Sequence, residues 1–161
     1  ANLRKELQYL LDNNIRDKGE YQLTNALENM KNKGIKFAPG KVTEWLDCGN
    51  KDATVYTNQR VLEFMKGEKS LRGANVKIEN STIIEPCYFG PNVVVTNSVV
   101  GPYVYLGDNT KVSNSVISDS IVQKNTLIAN KVIAKSMIGS FAEVSGKPAD
   151  LSVGDYNIIK D

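Results

Sequence analysis

The chain has 161 residues, 41% of them apolar and 24% charged, and twenty basic against eighteen acidic side chains leave a net charge of +2. This is the composition of a soluble globular protein of one or two small domains, and it excludes a chain disordered throughout. There is no dense Lys/Arg block interleaved with aromatics to track a nucleic-acid backbone, and the longest uncharged run, Pro86 to Gly107, is too broken by Pro, Gly, Asn and Ser to read as a membrane span or signal peptide.

In LRKELQYLLDNN, Leu3, Leu7, Leu10 and Leu11 share one helical face, charges lie opposite, and Asn13-Asn14 supplies a stop. A second helix follows in YQLTNALENMKNKG, where Leu23, Ala26, Leu27 and Met30 repeat the spacing and a Lys-Gly suits a left-handed cap. IKFA and VTEWLD read as short strands around Pro39-Gly40, and KDATVYTNQRVLEFMK returns to helix up to Gly67.

From about residue 73 the period changes. A large apolar residue recurs at Ile84, Phe89, Val95, Val100, Leu106, Val112, Ile117, Val122, Ile128, Ile133, Ile138 and Val144, five or six residues apart. Two places before each stands a small or β-branched residue, with Lys131 as the exception, and Gly, Ala or Ser often follows it. The fragments ENSTII, TNSVVG, SNSVIS and ANKVIA mark a longer period of 16 or 17 residues. If each short unit is one side of a triangular solenoid, three sides make one coil and twelve make about four. Tight corners favour residues that tolerate left-handed backbone, which gives a reason for the glycines and for Asn80, Asn97, Asn114 and Asn130.

Residues 76 to 145 resemble the hexapeptide-repeat family, whose members fold as left-handed parallel β-helices. The handedness is implied by that resemblance alone, since parallel crossovers are normally right-handed. Members of the family are often acyltransferases, and some bind zinc through histidine. This chain has no histidine, so chemistry that needs imidazole as base or zinc ligand is not expected of it. Ser98, Ser115, Ser120 and Asp119 are then read as packing residues, because a serine nucleophile needs an activating base. Tyr103 and Tyr105 are candidates for a subunit contact. Cys48 and Cys87 are expected as reduced, partly buried residues without a disulfide.

Two stretches in the first half stand out as candidates for chemistry. In GEYQLTNAL, Gly19 and Glu20 precede a helix whose first turn holds Thr24, a place where a carboxylate either caps the helix or accepts hydrogen bonds from a polyol. In EWLDCGN, an apolar approach delivers Asp47 ahead of Gly49, either a turn residue or a metal carboxylate. Taken together and followed by a solenoid, the two stretches closely resemble segments near the end of the catalytic domain of sugar-1-phosphate nucleotidylyltransferases, the family of the glucose-1-phosphate thymidylyl-, uridylyl- and adenylyltransferases.

That resemblance implies an α/β fragment of a nucleotidyltransferase domain followed by an all-β left-handed parallel β-helix. The expected domains are 1–70 for the catalytic piece, 71–148 for the β-helix and 149–161 for a tail. It implies Glu20, Tyr21 and Thr24 on the sugar side, Asp47 as a ligand to Mg²⁺, and a nucleoside triphosphate and a sugar 1-phosphate as substrates. The family's glycine-rich phosphate loop, its second metal aspartate and its sugar-phosphate lysine are not in the sequence. The chain is therefore expected to be a C-terminal fragment, with no catalytic residue of its own and inactive alone. We expect a cytoplasmic protein, free of nucleic acid and membrane, that associates as a trimer or dimer. Two other readings stay open, a non-catalytic assembly or regulatory β-helix protein and a hexapeptide acyltransferase.

Overall fold

A strand only three residues long has too few hydrogen bonds to stand alone, and the repeat solves this by stacking. In the computed structural model, which describes residues 2–160, the chain divides into two compact units between Trp45 and Leu46.

The first unit holds α1 (Asn2–Asp12) and α2 (Leu23–Asn32), packed as a hairpin. Both ends fall where the sequence places them. Asn14 turns left-handed after α1 (φ 50°), and Gly34 does so after α2 (φ 80°), with Gly34 N–H donating to Lys31 O and Ile35 N–H to Met30 O. The buried face of α1 differs from the leucine stripe. Glu6 and Leu10 are buried, whereas Leu3, Leu7 and Leu11 are exposed. Lys33 from the end of α2 reaches Glu6 Oε1 at 2.6 Å and so supplies the partner that a buried carboxylate needs. IKFA and VTEWLD form no strand. Neither pairs with another segment among the described residues, and an extended segment without a ladder is only coil.

The second unit begins with α3 (Lys51–Phe64), capped by Asn50, whose Oδ1 accepts from Ala53 N–H at 2.9 Å. A short 3₁₀ turn (Lys69–Leu71) leads into a parallel β-solenoid of about four coils. Sheet one stacks β1 (Lys77–Glu79), β4 (Val94–Thr96), β7 (Lys111–Ser113), β10 (Leu127–Ala129) and β13 (Glu143–Ser145). Sheet two stacks β2 (Thr82–Ile83), β5 (Val99–Val100), β8 (Val116–Ser118) and β11 (Val132–Ala134). Sheet three stacks β3 (Cys87–Phe89), β6 (Val104–Leu106), β9 (Ile121–Val122) and β12 (Met137–Ile138). All pairings are parallel, and each brings one interior residue over the next: Ile78, Val95, Val112, Ile128 and Val144 in sheet one, Phe89, Leu106 and Val122 in sheet three. Fully burying such a side chain contributes about 1.5–3 kcal/mol, so these columns are the main source of cohesion.

The inferred register fails in one place. Ile84 is exposed, and Ile83 is the residue that packs on the core and pairs with Val100. Ser81 then takes the small position expected of Thr82, which restores the hydroxyl column described below. Lys131, by contrast, breaks the composition rule without breaking register, because Ile133 pairs with Ile117. Its amine lies beside Gly146, about 3.2 Å from where a Cβ there would sit.

The corners are built differently from the expectation for glycine. Asn75, Asn92, Asn109 and Asn125 turn one corner and Asn80, Asn97, Asn114 and Asn130 a second, all left-handed. In the first column each amide donates to the carbonyl oxygen of the next, at 3.1, 3.0 and 3.0 Å. Of Gly90, Gly101, Gly107 and Gly139, only Gly101 has positive φ. Gly107 is small for another reason: a Cβ there would lie 2.6 Å from the Lys124 backbone nitrogen of the next coil.

Three substitutions separate these causes. Gly107→Ala forces one coil against the next and should lower the urea-derived stability of the folded chain by about 1–3 kcal/mol. Asn109→Gly removes only the ladder bonds, whereas Asn109→Ala also imposes the left-handed penalty of about 1–2 kcal/mol. The Ala variant should melt below the Gly variant, and equal melting would show that conformation is not what selects Asn.

Candidate functional site

Gly19 and Glu20 lie in a tight turn in which Asp17 and Glu20 exchange backbone hydrogen bonds of 2.9 and 3.0 Å across left-handed Lys18 and Gly19. The turn is braced from one side. Arg16 lies over the Tyr21 ring with its guanidinium carbon 4.5 Å from the centroid, and donates to Asn14 Oδ1 at 2.9 Å and Gly19 O at 3.3 Å. Tyr21 O–H donates to the same Asn14 oxygen at 2.8 Å. Glu20 does not cap α2. The capping position is Gln22, which makes no side-chain cap bond, and Gln22 Nε2 instead donates to Glu20 Oε2 at 3.3 Å. Thr24 is exposed in the first turn of α2. Glu20, Tyr21 and Thr24 thus sit in one short, exposed stretch, with an exposed carboxylate and hydroxyls for a polar ligand. Asn14, read from the sequence only as a helix stop, and Arg16 complete this cluster. Their signal is a short-range one, an Arg followed at five residues by a Tyr, which is too common to stand out.

In the second unit Asp47 lies just before the start of α3. Its backbone carbonyl accepts from Thr57 Oγ1 at 3.0 Å, and Thr54 Oγ1 donates to the carbonyls of Cys48 and Asn50. The carboxylate is exposed and folds back over Gly49, where a Cβ would lie 3.3 Å from Oδ2. Threonines of the first two turns of α3 therefore tie down the backbone on which Asp47 is presented. Among the described residues no group of three or more His, Cys, Asp or Glu side chains is placed to hold a metal ion. Mg²⁺ is commonly held by one or two carboxylates together with waters and substrate phosphates, and Asp47 offers one such carboxylate.

The hydroxyls of Ser81, Ser98, Ser115 and Ser120 are employed in structure. Ser98 Oγ donates to Thr96 O at 2.7 Å and accepts from Ser115 N–H at 3.1 Å, and Ser115 repeats the pattern with Ser113 O and Lys131 N–H. Ser81 starts the column and Ser120 runs a parallel one to Ser136. Each hydroxyl serves a backbone group of its own coil and one of the next, which agrees with the packing reading. Tyr103 is a fastener within the chain: its O–H donates to Glu63 Oε2 at 3.2 Å and its carbonyl accepts from Asn58 Nδ2 at 3.2 Å, both on α3. Tyr105 stacks on Tyr88 with ring centroids 4.7 Å apart.

The two cysteines differ more than the sequence suggests, Cys48 being exposed and Cys87 buried. Burial, with a smaller push from Glu85, raises the Cys87 thiol to about 11, against the opposing backbone hydrogen bond at Val104 and the Arg72 charge. Its Sγ–H donates to Ile84 O at 3.2 Å. A thiol so protonated and enclosed is a poor nucleophile.

Compared with models of known protein families, with curated proteins and with solved structures, the chain matches none. Among the described residues no helix is long and apolar enough to cross a membrane.

Thiol titration at pH 8 checks the cysteine assignment. One equivalent of a disulfide reagent should react promptly with the native chain, a second only after denaturant is added, and Cys48→Ser should abolish the first. Prompt reaction of two equivalents would contradict a sealed Cys87.

Proposed function

We propose that this chain is the C-terminal part of a sugar-1-phosphate nucleotidylyltransferase, an enzyme that joins a nucleoside triphosphate to a sugar 1-phosphate with release of pyrophosphate. The observation that carries the reading is an order: a Gly-Glu-Tyr turn, then a Trp-Leu-Asp segment opening a helix, then a solenoid of hexapeptide-like sides, taken as left-handed from the same resemblance. The exposure of Leu7, Leu11, Leu23, Phe37 and Trp45 supports it, since apolar side chains in this number suit a segment that packs within a larger catalytic domain. Transfer of a phosphoryl-type group depends on position and charge more than on a covalent nucleophile. Within that reaction Glu20, Tyr21 and Thr24 would bind the sugar hydroxyls, with Tyr21 held by Arg16 and Asn14. Asp47 would place one negative charge near the phosphates, as one part of a site completed by groups outside this chain.

In the full-length protein, Asp47→Ala should lower pyrophosphate release by about 100-fold or more, the scale seen when one preorganised electrostatic group is removed, while the circular dichroism is unchanged. Unaltered turnover would remove Asp47 from the site. The present chain alone should release no pyrophosphate from a nucleoside triphosphate and glucose 1-phosphate, and robust turnover would overturn the assignment of the missing groups.

A second reading, as an assembly module, rests on the outward face of sheet two. Thr82, Ile84, Val99, Val116 and Val132 are all uncharged, with Val132 82% exposed. Such an uncharged apolar face suits a copy of itself in a symmetric contact. Light scattering should give a dimer or trimer for the chain and a monomer for Val132→Lys, whereas a monomeric parent chain would exclude this use of the face.

A further inference from the structure

The corner between sheets two and three changes along the solenoid. Six residues separate Ile83 from Phe89 and Val100 from Leu106, but five separate Ile117 from Val122 and Ile133 from Ile138. The longer sides carry Glu85-Pro86 and Gly101-Pro102, and the shorter ones turn on single left-handed residues, Asp119 (φ 43°) and Lys135 (φ 48°). α3 crosses both kinds of corner. Asn58 and Glu63 hold it to Tyr103 at a long corner, and Lys51 reaches the Lys135 carbonyl at 3.1 Å at a short one. Where the side is a residue shorter, a cavity of about 410 Å³ opens between helix and solenoid, lined by Asp52, Val55, Tyr56, Gln59, Asp119 and Lys135.

The lining is chemically specific. Val55 is buried and gives an apolar floor, and Tyr56 offers an exposed ring. Gln59 and Asp119 are half-buried, yet the side chains of Tyr56, Gln59, Asp119 and Lys135 make no hydrogen bond or ion pair with another described residue. Their polar atoms are open to solvent rather than buried, so they are free to bond a ligand that enters the cavity. Their charges balance, Asp119 against Lys135, with Asp52 already paired to Lys51. The carboxylate accepts, the ammonium donates, the amide and phenol do both, and the ring offers a flat apolar surface. With Asp119 offset by Lys135 and Asp52 by Lys51, the lining has no net charge to favour an ionic ligand over a neutral one. A neutral ring bearing several hydroxyls meets every group with its complement.

We propose that this cavity is a binding site for a neutral polyhydroxylated ligand, a monosaccharide ring or polyol of that size. The site lies wholly in the second unit and stands whether or not the chain belongs to a nucleotidylyltransferase.

Saturation-transfer NMR on the whole chain with glucose, galactose, mannose and rhamnose at about 10 mM, a range matched to millimolar affinity, tests it. Transfer to ring protons of at least one sugar is expected, with amide shifts in the labelled protein clustered around Gln59, Asp119 and Lys135. Gln59→Ala keeps a strong helix former in α3, and Asp119→Gly keeps a residue at ease with left-handed backbone. Each should weaken the interaction at least about tenfold at unchanged circular dichroism. Absence of transfer from all four sugars would overturn the proposal. So would shifts confined to other surfaces, or tighter binding of glucose 1-phosphate than of glucose at these residues.

Discussion

The stacking of one coil's backbone on the next is the constraint that everything else in the second unit obeys. Each strand is two or three residues long, so its N–H and C=O groups find partners only if every coil repeats the path of the one before within a fraction of an ångström. Corners must then turn the same way each time. Asn fills this role where Gly would also turn, because it tolerates left-handed backbone and, in the column from Asn75 to Asn125, its amide also bonds to the neighbouring Asn. Ser at the entry to a strand does similar work, since one hydroxyl serves two coils. Small residues elsewhere, such as Gly107, are selected by the closeness of the neighbouring backbone.

Departures from strict repetition are where the solenoid gains features. A side that is one residue longer in the first two coils presents Tyr103 to α3, and the shorter sides beyond it leave Asp119 and Lys135 facing a cavity. The helix is attached by side chains to backbone carbonyls of the corners, so the length of each corner sets how closely the helix can approach. A repeat that is perfectly regular packs well but builds no concavity.

The turn at Glu20 and the loop at Asp47 follow another logic. Both are exposed, and both are held by local bonds: Arg16 and Asn14 around the first, Thr54 and Thr57 behind the second. Each presents its carboxylate from backbone that these bonds hold in place. The residue types were legible in GEYQLTNAL and EWLDCGN, because carboxylates beside glycine and ahead of a helix are conspicuous. Their supports were not, since an Asn or Arg a few residues away becomes a brace only once a tight turn brings it back.

Periodicity alone determined the solenoid, its coil length and nearly all of its interior residues, because a column that must be filled in every coil leaves a mark every five or six positions. The stops after α1 and α2 were equally plain, since left-handed ends demand Asn or Gly. Tertiary structure decided what spacing leaves ambiguous. Ile83 and Ile84 are both branched and adjacent, and only the pairing with Val100 shows which one faces inward. IKFA and VTEWLD have strand-like composition, but a strand exists only where another edge receives it. The cavity at Asp119 and Lys135 lies furthest from the sequence, because it arises from a difference in side length between distant coils and from a helix laid across them.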